Sequence, residues 1–161
     1  MVASAELPGP IEPFCSIERA VMVVGDRWSF LVLREILLYG RTRFADVQRR
    51  LGIATNVLTG RLEALVSAGV LERRPYREQG DRERFSYHAT PAGEDLVLVL
   101  AALQQWGDAH EPRENGPTVL RRTADGSAAH VAFVDERGAE VSADEMVFEP
   151  TPEHPAYRSP S

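Results

Sequence analysis

The chain has 161 residues, with 43% hydrophobic residues, a single cysteine and a formal net charge of −6. This length fits one domain with an appendage. No apolar run approaches the ~20 residues needed to span a bilayer. The N-terminal segment has neither the basic nor the apolar region of a secretory signal, so we expect a cytoplasmic protein. One cysteine excludes an intramolecular disulfide and a zinc site built from several thiolates.

No cofactor or metal is predicted, because the four histidines lack zinc-ligand spacing. The sequence also shows no Ser-His-Asp or Cys-His arrangement, no phosphate-binding loop and no paired carboxylates on a plausible pocket. An enzyme is therefore not expected.

The charge is unevenly distributed along the chain. Residues 41–84 contain ten arginines and six acidic residues, a net charge of +4. Residues 111–161 contain five arginines and ten acidic residues, a net charge of −5. Because attraction of a charged partner depends on the local field, the acidic total does not exclude a nucleic-acid-binding middle region.

In chain order, residues 1–13 hold three prolines and a glycine and are predicted to form a flexible arm. Apolar residues then recur at helical spacing from about residue 16 to residue 24. A denser apolar pattern predicts a second helix over 28–39, with Asp26 as its N-cap.

Two shorter helices are predicted next. Thr42 is placed to cap a helix over 43–51, and Thr55 to cap a helix over about 56–68 that ends at Gly69. Two helices joined by a three-residue turn are typical of helix-turn-helix DNA-binding proteins.

A pair of strands and a long helix follow. Residues 70–74 and 83–89 are strand candidates, and the polar loop between them carries arginine. Thr90 precedes a proline and predicts a helix over 91–110. The predicted fold is mainly α with a small β-wing (α+β): a winged helix-turn-helix with flanking dimerisation helices.

The predicted domain covers residues 14–111. Residues 112–150 are predicted to form a small, acidic, β-rich extension, with strand candidates over 129–134 and 140–148. Residues 151–161 are predicted to be a disordered tail.

The N-terminal turns of the second helix of such a motif lie in the major groove. The residues at those positions are Thr55, Asn56, Thr59, Gly60 and Arg61. Arginine can bond guanine bidentately and asparagine can bond adenine. Which of these residues contact bases and which contact phosphates is left open, and so is the alternative that the polar ones are only caps and solvated charges.

Arginines of the wing are candidates for phosphate or minor-groove contacts, which position a protein without reading sequence. They are Arg73, Arg74, Arg77, Arg82 and Arg84. Arg41, Arg43, Arg49 and Arg50, around the first helix of the motif, are further candidates. The alternative is a solvated hairpin whose arginines pair with the neighbouring acids Glu72, Glu78, Asp81 and Glu83.

Cys15 lies at a predicted helix N-terminus, where the helix dipole favours a thiolate, and Arg19 follows one turn later. It is a candidate redox-sensing residue; the alternative is a small buried hydrophobic residue. The helix over 91–110 has more apolar residues than one packed face needs, so we assign the surplus to a partner chain. The dimer-interface candidates are Phe14, Ile17, Val99, Leu103 and Trp106.

Several motifs make the sequence similar to the HxlR-type regulators of the MarR-like winged-helix group. The resemblance covers Cys15 to about His110. It rests on the segments 15–20 (CSIERA), 25–28 (GDRW), 33–36 (LREI), 43–47 (RFADV), 52–62 (GIATNVLTGRL), 68–73 (AGVLER), 87–93 (YHATPAG) and 103–107 (LQQWG).

The resemblance implies a homodimer whose two recognition helices enter successive major grooves of double-stranded operator DNA. It also implies that Cys15 matches a cysteine that senses oxidants or electrophiles in several members. The chain departs from the family pattern where Ser16 replaces a proline after the cysteine and where Asp26 and Arg27 replace glycine and lysine. The cysteines that some relatives carry in the extension are absent, so a metal ribbon is not expected.

Two other functions stay open at this point. One is a DNA-binding regulator that is switched by a small molecule at the dimer interface. The other is a winged-helix module that binds protein and has no role on DNA.

Overall fold

The computed structural model describes residues 15–77, 82–149 and 151–153. The predicted arm, Phe14, the tip of the wing and most of the predicted tail lie outside the described residues. The helices are α1 Ser16–Val24, α2 Arg27–Leu37, α3 Phe44–Leu51, α4 Thr55–Ser67, α5 Pro91–Glu94 and α6 Leu96–His110. The strands are β1 Leu71–Tyr76, β2 Arg84–Ala89, β3 Phe133–Val134 and β4 Glu140–Val141.

This order confirms a mainly α fold with a β-wing, in which α3 and α4 form the helix-turn-helix. One apolar cluster fixes the inward side of both helices, because α2, α3, α4, β1 and α6 all contribute side chains to it. Its members are Val24, Val32, Leu33, Ile36, Val47, Ile53, Leu58, Leu62, Leu65, Val70, Leu71 and Leu100. Within the described residues, no helix is long and apolar enough to cross a membrane.

The start of α2 is as predicted, because the Asp26 carboxylate accepts the backbone N–H groups of Trp28 (2.9 Å) and Ser29 (3.2 Å). The predicted caps of α3 and α4 are wrong. Arg43 is the N-cap of α3, and the Thr42 carbonyl instead accepts the N–H of Tyr87 at 2.7 Å.

Helix α4 begins at Thr55, with Ala54 as its N-cap and no side-chain cap. The Thr55 hydroxyl is engaged elsewhere, because it accepts a 2.7 Å hydrogen bond from the Gln48 amide of α3. This bond ties the two helices of the motif together across the turn.

The C-terminal end of α4 is as predicted. Gly69 adopts a φ of +71°, which is disfavoured for residues with a Cβ. The Gly69 N–H donates to the Val66 carbonyl, and the Val70 N–H donates to the Leu65 carbonyl, both at 3.0 Å. This pair of bonds is a Schellman motif, which ends the helix and turns the chain into β1.

The wing is an antiparallel pair in which Leu71 lies opposite Ala89 and Tyr76 opposite Arg84. An isolated bridge between Arg43 and Ser86 joins β2 to the start of α3. The wing is thereby fixed to the helix-turn-helix.

The single helix predicted over 91–110 is divided at Asp95 into α5 and α6. The backbone of Asp95 stays in the right-handed helical region, and the Leu98 N–H bonds to its carbonyl three residues back at 3.3 Å. Helix α5 lies close to β1, since a Cβ on Gly93 would come within 2.2 Å of the Val70 carbonyl oxygen. The interruption at Asp95 is a single tight turn, and the helix continues beyond it as α6.

The strands of the extension are shorter than predicted, since β3 and β4 have two residues each. The turn between them is organised by Asp135, whose carboxylate accepts the N–H groups of Arg137 and Ala139 at 2.9 Å. These bonds shape the turn. Pairing stops at the other end of the strands, where the Val131 N–H bonds to Gln105 and the Ala129 N–H bonds to the Arg121 carbonyl and not to β4.

Polar contacts hold the extension against α6. The Gln105 amide both donates to the Val131 carbonyl (2.9 Å) and accepts the Val131 N–H (2.8 Å). Gln104 donates to the Val119 carbonyl at 2.7 Å. A 3.0 Å ion pair joins Arg121 to Asp108 of α6.

Candidate nucleic-acid interface

The exposed face of α4 is set by the side chains that it buries. Leu58, Leu62 and Leu65 are buried in the core. At about 100° per residue, the opposite side of the helix is centred on Asn56, Gly60 and Glu63, and the structure shows all three exposed. Two of these were predicted contacts.

Glu63 was not predicted, although its spacing of seven residues from Asn56 signals a shared face. A carboxylate can accept a hydrogen bond from the cytosine amino group. The outward face of α4 thus presents an amide and a carboxylate. At Gly60 there is no side chain, so another surface can approach the helix backbone closely.

Thr55 and Thr59 lie away from the centre of this face. Thr55 is exposed at the first turn, with its hydroxyl held by Gln48. Thr59 is partly buried, about 100° around the helix from Gly60.

Arg61 lies on the other flank, about 100° from Gly60 in the opposite sense. Its guanidinium Nη1 is 3.3 Å from Oδ2 of Asp26, the N-cap of α2. Burial opposes ionisation of Asp26, but hydrogen bonds from Ser29 and Trp28 and the charge of Arg61 outweigh it and lower the pKa of Asp26. Asp26 is therefore an anion at neutral pH, and it links α2 to α4.

The wing carries further arginines on both of its faces, because side chains alternate along a strand. Arg43 packs over the Tyr76 ring at 4.8 Å, and Arg73 packs over the Phe85 ring at 5.0 Å. Arg74 pairs with Glu72 at 2.5 Å, as the alternative interpretation of the hairpin expects. The three remaining candidates, Arg77, Arg82 and Arg84, are exposed where the strands approach the tip.

The pKa of Tyr87 in β2 is affected by charges from both the wing and α4. Burial raises the pKa of this half-buried phenol; the positive charge of Arg73 lowers it, and the negative charge of Glu63 raises it further. Glu63 is thus near enough to Tyr87 of β2 for its charge to act there, whereas Arg61 contacts Asp26 at the start of α2.

Cys15 is the N-cap residue of α1 and is partly exposed. The guanidinium of Arg19 donates to the Ser16 hydroxyl at 2.9 Å.

Four predicted dimer-interface residues are exposed in the single chain. Ile17 is 69% exposed and Trp106 is 59% exposed, and Val99 and Leu103 are also on the surface. Other apolar side chains of α1 and α6 are exposed with them: Val21, Met22, Val23, Val97 and Leu98. We use the term apolar face as a collective name for these nine exposed side chains, which are spread around the two helices.

Comparison with known proteins decides the family. The family model described as HxlR-like helix-turn-helix matches residues 23–115. The chain belongs to the HxlR-like family.

One HxlR-like relative is an uncharacterized HTH-type transcriptional regulator of Mycobacterium tuberculosis, Rv3095. It is 40% identical over 139 residues, which cover 85% of this chain and 86% of the relative. Among solved structures, the candidate transcription factor PA1607 is 28% identical with a TM-score of 0.74, covering 87% of this chain and 97% of the other. PA1374, a candidate transcription factor of Pseudomonas aeruginosa, is 36% identical with a TM-score of 0.60, covering 86% and 93%.

As an HxlR-like protein, the chain is a transcriptional regulator of the helix-turn-helix type and not an enzyme. The long matches to Rv3095 and PA1607 reach beyond residue 115, so they include part of the extension as well as the winged helix.

Proposed function

We propose that the protein is a cytoplasmic, homodimeric regulator that binds specific double-stranded operator DNA. Helix α4 enters the major groove, and the wing contacts the phosphate backbone. The observation that carries this proposal is the exposed face of α4, where Asn56, Gly60 and Glu63 stand clear of the core. Asparagine and glutamate there supply the donors and acceptors that distinguish base pairs in the major groove.

The arginines supply the contacts that do not depend on sequence. Arg43, Arg77, Arg82 and Arg84 lie on or beside the wing. Thr55, Thr59 and Arg61 complete the proposed contact set on α4. Charge-assisted bonds to phosphates add affinity and fix the position of the recognition helix.

DNA binding is tested with duplexes selected from genomic fragments by the wild-type protein. We expect affinity to fall steeply with salt through counterion release. Asn56→Ala should lower the preference for the selected duplex over a scrambled one by about 1–3 kcal/mol. Asn115→Ala, an exposed asparagine in the extension, is the matched control and should change nothing. A wild-type protein that binds no duplex under any salt condition would instead support the protein-binding alternative.

The proposed dimer covers the apolar face. Apolar patches of this kind on a soluble domain commonly mark interaction sites, and a second copy offers the same patch by two-fold symmetry. Leu103→Glu should therefore convert a dimer to a monomer in light scattering after gel filtration and weaken DNA binding. Val147→Glu replaces an exposed apolar residue of the extension and should leave the dimer intact. A monomeric wild-type protein contradicts the assignment.

Cys15 is the proposed switch. Peroxide would oxidise its thiol to a sulfenic acid while being reduced to water. Its place as the N-cap of α1, beside the apolar face, would connect the change to the dimer. Cys15→Ser should leave DNA binding intact and abolish the loss or gain of binding on peroxide treatment. An unchanged peroxide response in Cys15→Ser removes the thiol from the mechanism.

A small-molecule effector is the second candidate switch, and one cavity favours it. The cavity lies between α2 and α6, has a volume of about 320 Å³ and includes Phe30, Tyr39 and Leu103 in its lining. Pockets of drug-sized ligands start at about this volume. Such a switch would survive Cys15→Ser, so the same variant separates the two candidates.

A further inference from the structure

Arg61 differs from the other proposed DNA contacts because it already has an anionic partner. Its Nη1 lies 3.3 Å from Oδ2 of Asp26. The same carboxylate accepts two backbone N–H groups at the start of α2 and the hydroxyl of Ser29, which is buried. Asp26 is thus held rigidly from one side, and it can hold the guanidinium from the other.

The direction of this contact decides what Arg61 can reach. On α4, Arg61 points about 100° away from Gly60 and about 140° away from Asn56. If Asn56 and Gly60 face the floor of the groove, Arg61 faces the wall of the groove, where the sugar-phosphate backbone runs. The ion pair with Asp26 keeps it there.

The guanidinium of Arg61 can bind two anions at the same time. Arginine has five N–H donors in a planar fork, and the contact with Asp26 involves one terminal nitrogen. The side chain is 42% exposed, so its other donors remain open to an approaching anion. A carboxylate on one side and a phosphate on the other is therefore compatible with the observed position.

We propose that Asp26 is a positioning residue for DNA binding, which orients Arg61 toward a backbone phosphate on the flank of α4 opposite the wing. This inference rests on the proposed DNA-binding function. It assigns Arg61 to the phosphates and leaves base reading to the Asn56 face. The recognition helix is then held on both flanks, by the wing on one and by Arg61 on the other.

The test measures binding of each variant to the selected duplex and to a scrambled duplex of equal length, over a series of salt concentrations. Arg61→Ala should weaken binding to both duplexes by the same factor. It should also reduce the slope of log affinity against log salt by about 1 per subunit. Arg61→Lys, which keeps the charge but not the fork, should retain most of the slope.

Asp26→Ser gives the sharper result, because serine is also a good N-cap and the helix start is preserved. The substitution removes a negative charge near DNA, so charge alone predicts tighter binding. Positioning predicts weaker binding to both duplexes. It also predicts that adding Asp26→Ser to Arg61→Ala causes no further loss, since residues in one network are not additive.

Asp135 and Arg137 provide the matched control, because Asp135 also accepts backbone N–H groups and lies 3.1 Å from its arginine. Asp135→Ser and Arg137→Ala should leave affinity and salt slope unchanged. Thermal unfolding of every variant separates a folding defect from a binding defect.

Three results would overturn the proposal: tighter binding by Asp26→Ser, additive losses in the double variant, or a changed preference between duplexes in Arg61→Ala. Salt-insensitive behaviour of the wild-type protein on both duplexes would instead contradict DNA binding itself. A failure of the Asp26 proposal can therefore be distinguished from a failure of the proposed DNA binding.

Discussion

The winged-helix part and the extension are held together by different forces. Among the described residues, every buried hydrophobic side chain lies between Val24 and Leu100. The extension leaves Phe133, Val147 and Phe148 exposed and is attached to α6 by amide bonds and an ion pair. Apolar burial stabilises a fold in proportion to area, whereas a hydrogen bond contributes a modest net amount. We therefore expect changes in the extension to cost the winged-helix part little stability.

The largest effect is expected in the core. Leu62 of α4 is fully buried, and Leu62→Ala should lower the free energy of unfolding by about 2–5 kcal/mol, because it removes apolar contacts and leaves a cavity. Urea denaturation measures the loss. Leu120→Ala in the extension, where the side chain is 60% exposed, is the control and should stay within about 0.5 kcal/mol. Equal losses of unfolding free energy in Leu62→Ala and Leu120→Ala would contradict the idea that the two regions are stabilised by different forces.

A smaller effect is expected at the start of α2. Asp26→Ala should cost about 0.5–2 kcal/mol through loss of the N-cap, and Asp26→Ser should cost less because serine also caps helices. The pKa of Asp26 is lowered in the folded protein. The contribution of its charge is therefore complete at neutral pH and is lost as the pH falls through this lowered pKa, below about pH 4.

Urea denaturation of the wild type and Asp26→Asn at several pH values checks the sign. The stability difference between them should shrink in acid and stay constant from about pH 5 upward. A difference that grows in acid would mean that Asp26 is not stabilised as an anion.

The two regions also differ in how far their sequence predicts their structure. In the winged helix, apolar periodicity and the caps at Asp26 and Gly69 determine which face of each helix is buried, so the element order could be predicted. Local patterns do not show where a side chain finds a distant partner. Gln48 engages Thr55, and the Thr42 carbonyl bonds to β2, so neither threonine caps a helix.

The candidate site shows the same limit. Residue spacing on α4 predicts Asn56 and Gly60, but the position of Arg61 depends on Asp26, 35 residues earlier in the chain. In the extension, alternating apolar residues predict longer strands than form. Gln105 takes both backbone groups of Val131, and the Arg121 carbonyl takes the N–H of Ala129. These competing bonds depend on tertiary position, which residue spacing does not encode.

The smallest effect is expected where the extension meets α6. Gln105→Ala removes both hydrogen bonds to Val131 and should lower stability by about 0.5–1.5 kcal/mol. Because this loss is local, the Val131 amide should exchange its hydrogen much faster, while the amides of α4 keep their protection. Gln105→Glu retains an acceptor for the Val131 N–H and should preserve more of the protection at Val131. If α4 loses protection together with Val131, the extension and the winged helix unfold as one unit. The contrast between apolar burial in one region and polar contacts in the other then has no effect on how they unfold.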